Sequence, residues 1–123
     1  MNKIGVIGAG NMASAIIDSG INCGFLLPQA VLAYDINADK LSAMHAKGIA
    51  GVDSISEIVQ KCKYVLLSVK PQVAPQILPE IGKYLSEENV IISIAAGITA
   101  ATIRSGLGKE DAKIILVMPN TPI

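Results

Sequence analysis

Residues 3–13 have the sequence KIGVIGAGNMA, a short apolar run followed directly by a glycine-rich turn. From Gly8 to Ala13 the turn has the pattern GxGxxA, which is weak evidence by itself in a chain with eleven glycines. Here it follows a predicted strand and opens a predicted helix, the context in which such a turn binds a dinucleotide. Gly8 permits the tight turn, Gly10 lets the backbone approach a pyrophosphate, and Ala13 lets the helix pack closely. A purely structural turn is the alternative.

Two further features complete this predicted cofactor site. The free N–H groups near Asn11 and Met12, at the start of the first helix, are expected to point at the phosphates. Asp35 ends the second strand, where a carboxylate can accept hydrogen bonds from both hydroxyls of an adenosine ribose and repel a 2′-phosphate. The nearest following cation is Lys40, already inside the next helix. The sequence therefore favours NADH over NADPH, unless Asp35 only caps a turn or is merely solvated.

Strand and helix patterns alternate along the whole chain. The predicted strands cover residues 3–7, 31–34, 49–52, 64–69, 89–94 and 113–118. Helices are predicted between them, the first at 11–23 and the last at 100–107. This alternation predicts an α/β fold, a parallel sheet covered by helices on both faces. With right-handed crossovers, we expect a single Rossmann-type, doubly wound domain over residues 1–123, with strand order 3-2-1-4-5-6.

Local signals mark the ends and faces of these helices. Caps are predicted at Asn37, at Ser54 as part of a capping box, and at Thr99. We expect helices to end at glycines, and apolar side chains to form a stripe along each helix. The predicted ends are Gly48, Gly106 and Gly108. The first helix has one apolar face made of Met12, Ala15 and Ile16, and the fourth has a buried stripe made of Ile77, Leu78 and Ile81.

Ligands of such a sheet bind beyond the carboxyl ends of the strands, where the strand order reverses. This point lies between strands one and four, and strand four ends in Ser68-Val69-Lys70-Pro71. Lys70 places a cation where a pyrophosphate or an anionic substrate would lie, although it can also be an ordinary exposed lysine. Strand five ends in Ile94-Ala95-Ala96, whose small side chains let a flat nicotinamide ring approach the backbone, or serve packing only.

Asn120 and Thr121 follow strand six between two prolines. A stiff polar turn of this kind is suited to hydrogen-bonding a small substrate. A rigid exit linker is the alternative.

Four motifs in this order and spacing resemble those of the pyrroline-5-carboxylate reductases. They are GAGNMA at 8–13, VKPQ at 69–72, ISIAAGI at 92–98 and MPNTP at 118–122, and the resemblance covers the whole chain. It implies an oxidoreductase that reduces the cyclic imine 1-pyrroline-5-carboxylate to L-proline with NADH or NADPH. It also implies that the cofactor site is lined by Ile7, Gly8, Ala9, Gly10, Asn11, Met12, Asp35, Ser68, Val69, Lys70, Pro71, Ile94, Ala95 and Ala96.

The chain departs from the family pattern in three ways. Ile55 occupies the place of an asparagine that often reaches the cofactor, so that contact is lost or replaced. Asp35 stands where members that accept NADP tend to carry a small or neutral polar residue. The family also has a helical second domain that builds the homo-oligomer and most of the substrate pocket. We therefore expect the proton donor to lie beyond Ile123 and the isolated chain to be inactive.

Composition limits the other classes of function. The formal net charge is zero and 51% of residues are hydrophobic, which argues against disorder, nucleic acid or an anionic membrane as partner. We expect a cytoplasmic chain in which Cys23 and Cys62 are buried thiols, His45 lies on the surface, and no metal is bound. Two alternatives remain: a reductase of the β-hydroxyacid dehydrogenase-like group, and a non-catalytic dinucleotide-sensing module.

Overall fold

The computed structural model of the protein describes residues 2–94 and 97–117. Within these residues the strands form one parallel sheet with the order β3-β2-β1-β4-β5-β6, which confirms the predicted Rossmann-type topology. The strands are β1 Asn2–Ile7, β2 Val31–Tyr34, β3 Ala50–Gly51, β4 Cys62–Leu67, β5 Val90–Ser93 and β6 Lys113–Leu116. The α-helices that connect them are α1 Asn11–Asn22, α2 Ala38–His45, α3 Ile55–Lys61, α4 Ala74–Tyr84 and α5 Ala100–Leu107.

The sheet has an apolar core on each face, because successive side chains of a strand point to opposite sides. In β1, Val6 packs with the residues of α1 and α2, whereas Ile7 packs with those of α3, α4 and α5. In β4, Leu66 and Leu67 divide between the two cores in the same way. Burial on both faces accounts for the continuous apolar runs in the sequence.

The strand register brings the carboxyl ends of five strands into one row. Ile7 pairs with Tyr34 on one side and with Leu67 on the other. Leu67 pairs in turn with Ser93, and Ser93 with Leu116. The segments that follow these strands therefore leave the sheet along a single edge, which we call the carboxyl edge.

The predicted helix caps are confirmed. The side chains of Asn37, Ser54 and Thr99 each accept a hydrogen bond from a backbone N–H in the first turn of α2, α3 and α5. Gly108 ends α5 with a φ of 70°. Gly106, predicted as a second terminator, lies instead inside α5, where a Cβ would stand 2.6 Å from Leu78 Cδ1. Its role is therefore the close packing of α5 against α4.

The apolar face predicted for α1 is not the one that meets the sheet. Ala13 and Ile17 are fully buried, whereas Met12 is 38% exposed and Ile16 is 36% exposed. Small Ala13 lets the helix approach the sheet, and this brings Ile17, one turn further on, into the core. Met12 and Ile16 then lie beside this face, where both are partly exposed.

The thiol prediction is correct for one cysteine only. Cys62 is buried and Cys23, just beyond the end of α1, is exposed. His45 is exposed at the end of α2, as predicted.

Candidate functional site

A crevice of about 560 Å³ lies at the carboxyl edge, between the ends of β1 and β4. This is the point at which the strand order reverses. Nine residues predicted to form a cofactor site line it: Gly8, Gly10, Asn11, Met12, Asp35, Ser68, Val69, Lys70 and Ile94. The crevice is also lined by four residues that were not predicted to belong to a site: Ile36, Asn37, Lys40 and Val73.

Gly8 forms the tight part of the glycine-rich turn. Its φ is 93°, and a Cβ built on it would collide with the carbonyl oxygen of Ser68. Its N–H donates to the carbonyl oxygen of Tyr34 at 2.9 Å, and the N–H of Ser68 donates to that of Ile7 at 2.9 Å. The turn is thus wedged between the ends of β2 and β4, and only glycine fits there.

Gly10 serves the same turn differently. Its backbone is extended, with φ −80° and ψ −171°. Apart from Gly10 itself and its two chain neighbours, no heavy atom of the described residues lies within 4 Å of the place where its Cβ would stand. Since Gly10 lines the crevice, the missing side chain leaves room for a ligand to approach the backbone.

Two helices begin at this crevice without a side-chain cap. The residues preceding α1 and α4 are Gly10 and Val73, both of which line the crevice, and neither helix has an acidic residue in its first turn. The other three α-helices that the structure describes are capped by side chains. At α4 the N–H groups of Val73 and Ala74 already donate to the carbonyl oxygen of Lys70, and Pro75 has no N–H. The positive end of α1 is therefore the one that remains available for a negatively charged group.

Asp35 forms one wall of the crevice and is tied to both neighbouring turns. Its Oδ2 accepts a hydrogen bond from the N–H of Ala9 at 2.8 Å, and its Oδ1 accepts one from the N–H of Asn37 at 2.8 Å. The carboxylate therefore has a structural role in the turn. Each oxygen keeps lone-pair capacity for a further donor such as a ribose hydroxyl.

The charged side chains that line the crevice are Asp35, Lys40 and Lys70, which gives the lining a net positive charge. Lys70 is exposed at the start of the segment that leads to α4. Lys40 lies in the first turns of α2, where Asn37 accepts hydrogen bonds from the N–H groups of Asp39 and Lys40. This balance suits a ligand with phosphate groups.

Some predicted residues lie next to the crevice without lining it. Ile7 is 1% exposed in the core, Ala9 is 4% exposed and reaches the site through its N–H, and Pro71 is exposed on the following turn. Ile55 is buried at the start of α3. The remaining predicted residues lie outside the described ones: Ala95, Ala96, Asn120 and Thr121.

The four newly assigned lining residues carried weak sequence signals. Ile36 is 92% exposed although it is a large apolar residue, and it directly follows Asp35. An isoleucine between two polar residues at a strand end gives no periodic pattern that would mark it as a site residue. Asn37 and Lys40 had been assigned to the helix alone, and Val73 had not been assigned to any element.

Other kinds of site find little support in the part of the chain that the structure describes. No cluster of three metal-binding side chains occurs among those residues. None of their helices combines the length and the apolar character that a membrane span requires.

Comparisons with known proteins agree with this geometry. The chain is 40% identical over 121 residues to the pyrroline-5-carboxylate reductase of Escherichia coli (strain K12), covering 98% of this chain and 45% of that protein. A solved pyrroline-5-carboxylate reductase from Coxiella burnetii matches with a TM-score of 0.90 and 32% identity, covering 98% of this chain and 45% of that one. A Plasmodium falciparum pyrroline carboxylate reductase solved with NADP bound matches with a TM-score of 0.84 and 27% identity. That match covers 98% of this chain and 43% of that one.

The resemblance inferred from the four sequence motifs is therefore confirmed. The chain spans less than half the length of these relatives. Residues 3–97 also match the family model described as NADP oxidoreductase, coenzyme F420-dependent. Because that match covers most of the 123 residues, the chain belongs to this family of oxidoreductases.

Proposed function

We propose that this chain is the cofactor-binding domain of a reductase that converts 1-pyrroline-5-carboxylate to L-proline with NADH or NADPH. The observation that carries the proposal is the crevice: the glycine-rich turn, Asp35 and the Ser68–Lys70 segment meet at the switch point of the sheet. The 40% identity to a pyrroline-5-carboxylate reductase over nearly the whole chain supports the choice of substrate.

In this proposal the pyrophosphate lies over Gly10 at the start of α1. The open space at Gly10 admits it, the uncapped start of α1 attracts it, and Lys70 neutralises part of its charge. The adenosine ribose lies at Asp35. Ile36 offers the adenine an apolar surface, since its side chain is 92% exposed beside the same crevice.

We further propose a preference for NADH. The Asp35 carboxylate is held between two backbone N–H groups, so it cannot easily turn away from a 2′-phosphate. Lys40 lines the same crevice and would moderate the repulsion without removing it. Replacing Asp35 with serine is therefore expected to improve NADPH binding relative to NADH binding.

The reaction requires the chain to place the reacting groups rather than to supply chemistry. When bound, the cofactor delivers a hydride to the imine carbon, while the ring nitrogen keeps or takes up one proton. The residues around the crevice bind and orient the dinucleotide, which fixes the edge of the sheet from which its nicotinamide would meet the substrate. Ile94, at the end of β5, is the described residue that we expect to lie nearest the nicotinamide.

We propose a helical second domain beyond Ile123 that completes the substrate pocket, provides the proton donor and forms the homo-oligomer. Two observations support it. The relatives are more than twice as long as this chain. At one edge of the sheet, Ile115 and Leu116 of β6 and the following Val117 are at least 40% exposed, an unusual density of exposed apolar side chains.

The proposed reaction is tested with a chimera in which this chain is followed by the remaining C-terminal part of the Escherichia coli relative. We expect 1-pyrroline-5-carboxylate to drive NADH oxidation and to yield proline, identified by mass spectrometry. Gly10→Val should abolish the reaction, whereas Gly51→Ala in β3, away from the crevice, should retain it. Dinucleotide binding without proline formation would favour a sensing module, and oxidation of a β-hydroxyacid instead would favour that dehydrogenase group.

A further inference from the structure

We infer that Asp35 is a positioning residue for the glycine-rich turn, in addition to any bond it makes to a ribose. Its carboxylate fixes the N–H of Ala9, and through it the backbone that would receive the pyrophosphate. This inference rests on the proposed dinucleotide site. It predicts that Asp35 matters even for a ligand that has no ribose hydroxyls.

Asp35 is hydrogen-bonded to Ala9 in the glycine-rich turn. The two residues are 26 positions apart, and the N–H of Ala9 donates to Asp35 Oδ2 at 2.8 Å. Ala9 is only 4% exposed, so water has little access to this N–H and a protein acceptor is needed. Gly8, its neighbour, is tied to the backbone of Tyr34. The turn is thus anchored to the end of β2 twice, once through backbone and once through Asp35.

The other oxygen of the Asp35 carboxylate is hydrogen-bonded to the turn that precedes α2. Asp35 Oδ1 accepts from the N–H of Asn37 at 2.8 Å, and Asn37 Oδ1 accepts from the N–H of Asp39 at 2.9 Å. A continuous set of hydrogen bonds therefore runs from the start of α2, through Asp35, to Ala9 beside the start of α1. Since both oxygens are engaged, the carboxylate has a fixed orientation.

Few side chains can replace Asp35 in this role. A carboxylate accepts on both oxygens, whereas an asparagine amide has one acceptor and one donor group. In Asp35→Asn the NH₂ group would face the N–H of Ala9 or that of Asn37, so at least one bond is lost. Although asparagine has nearly the same shape as aspartate, Asp35→Asn is therefore expected to weaken ligand binding.

The test compares two probes that differ only in the ribose hydroxyls, ADP and 2′,3′-dideoxy-ADP. Each is titrated into the 123-residue chain, into Asp35→Ala and Asp35→Asn, and into Asp111→Ala as a control. Asp111 is an exposed carboxylate just before β6, on the opposite edge of the sheet. We expect both Asp35 variants to bind the dideoxy probe about three- to tenfold more weakly, the equivalent of one hydrogen bond, and the control to bind as the original chain does.

The outcomes separate this inference from the proposed function. If the Asp35 variants bind the dideoxy probe normally and lose only the advantage of ADP, Asp35 interacts with the ribose alone and the inference is wrong. If the original chain binds neither probe, the proposed cofactor site fails instead.

Amide hydrogen exchange tests the inference even if the original chain binds neither probe. In Asp35→Ala, which removes both acceptor oxygens, we expect exchange at Ala9 to accelerate at least tenfold, while exchange at Val6, within β1, stays unchanged. Equal protection of Ala9 in the original chain and in Asp35→Ala would overturn the inference. A merely destabilised protein would show faster exchange at both positions.

Discussion

Gly8 and Gly10 belong to one motif but meet different physical requirements. Gly8 has a positive φ and no room for a Cβ, whereas Gly10 has an extended backbone and open space beside it. The first is needed for folding and the second for admitting a ligand. A glycine motif therefore does not assign the same role to each of its glycines.

Alanine substitutions should separate these two roles. We expect Gly8→Ala to lower the free energy of unfolding by about 2 kcal/mol or more, through backbone strain and the collision with Ser68. Gly10→Ala should change it by less than about 0.5 kcal/mol, the usual range for an uncrowded site. Urea unfolding measures both, and equal losses in the two variants would contradict the assignment.

Asn89 is a buried polar residue with a purely structural role. Its Nδ2 donates to the carbonyl oxygens of Val59 at 3.0 Å and Cys62 at 2.7 Å, and its Oδ1 accepts from the N–H of Ser86 at 2.8 Å. It thereby ties the end of α3 to the loop that precedes β5. We expect Asn89→Ala to cost about 2–3 kcal/mol, since it leaves buried partners unsatisfied. Asn22→Ala, at the exposed end of α1, is the matched control for chemical denaturation, and a similar small loss in both would count against this role.

The two thiols should differ sharply in reactivity. Burial raises the pKa of the Cys62 thiol to about 11, against a smaller opposing effect of the Lys61 charge. The folded protein therefore keeps this thiol protonated, and between pH 9 and 11 rising pH favours the unfolded state, in which the thiol ionises more readily. A thiol reagent should modify Cys23 alone in the native chain and both cysteines in denaturant. Rapid modification of Cys62 in the native chain would contradict its burial.

At the scale of elements, the close contact between α4 and α5 depends on small residues. A Cβ at Gly82 would collide with the carbonyl group of Leu107, the last residue of α5. We expect Gly82→Ala to lower the free energy of unfolding by about 2 kcal/mol or more, because backbone must move. Gly51→Ala, where the nearest atoms are in ordinary contact at 3.7 Å, should be nearly neutral. Thermal unfolding of both variants tests this, and a neutral Gly82→Ala would mean that the helices can separate at little cost.

The elements themselves could be predicted from the sequence because their patterns are strong. Buried strands such as β4 appear as continuous apolar runs, and Asn37, Ser54 and Thr99 mark helix starts through short-range hydrogen bonds. The buried face of α1 could not be predicted in the same way. The sequence predicted the close packing of Ala13, but Met12 and Ile16 are more apolar than Ala13 and were predicted to form the buried face in place of Ile17. Gly106 was misassigned for a similar reason, since a packing glycine and a terminating glycine look alike in a sequence.

The candidate site was predictable to the extent that it follows from topology. Parallel strands end at one edge, so the motifs after β1, β2 and β4 had to meet there. The two hydrogen bonds of the Asp35 carboxylate were not predictable. Ala9 is 26 positions away in the sequence, and its bond to Asp35 depends on the side-chain rotamer of Asp35. Ile36 was missed since exposure of a single apolar residue leaves no pattern.

At the scale of the whole molecule, we expect this chain to bind the cofactor by itself but not to catalyse the reaction by itself. The crevice is assembled from described residues of this chain alone, so we expect it to bind a dinucleotide without help. Turnover requires the substrate pocket and proton donor that we place beyond Ile123. The chain by itself should therefore show cofactor binding but no detectable proline formation, measured in the same preparation. Proline formation by the chain alone would contradict the proposed division.

The most direct test of the central claim is a calorimetric titration of this chain with NADH and NADPH at matched salt, repeated on Gly10→Val and Gly51→Ala. The crevice predicts that NADH binds more tightly than NADPH, that Gly10→Val loses both while remaining folded, and that Gly51→Ala binds as the original chain does. Equal binding by the original chain and a folded Gly10→Val would contradict a dinucleotide site between β1 and β4.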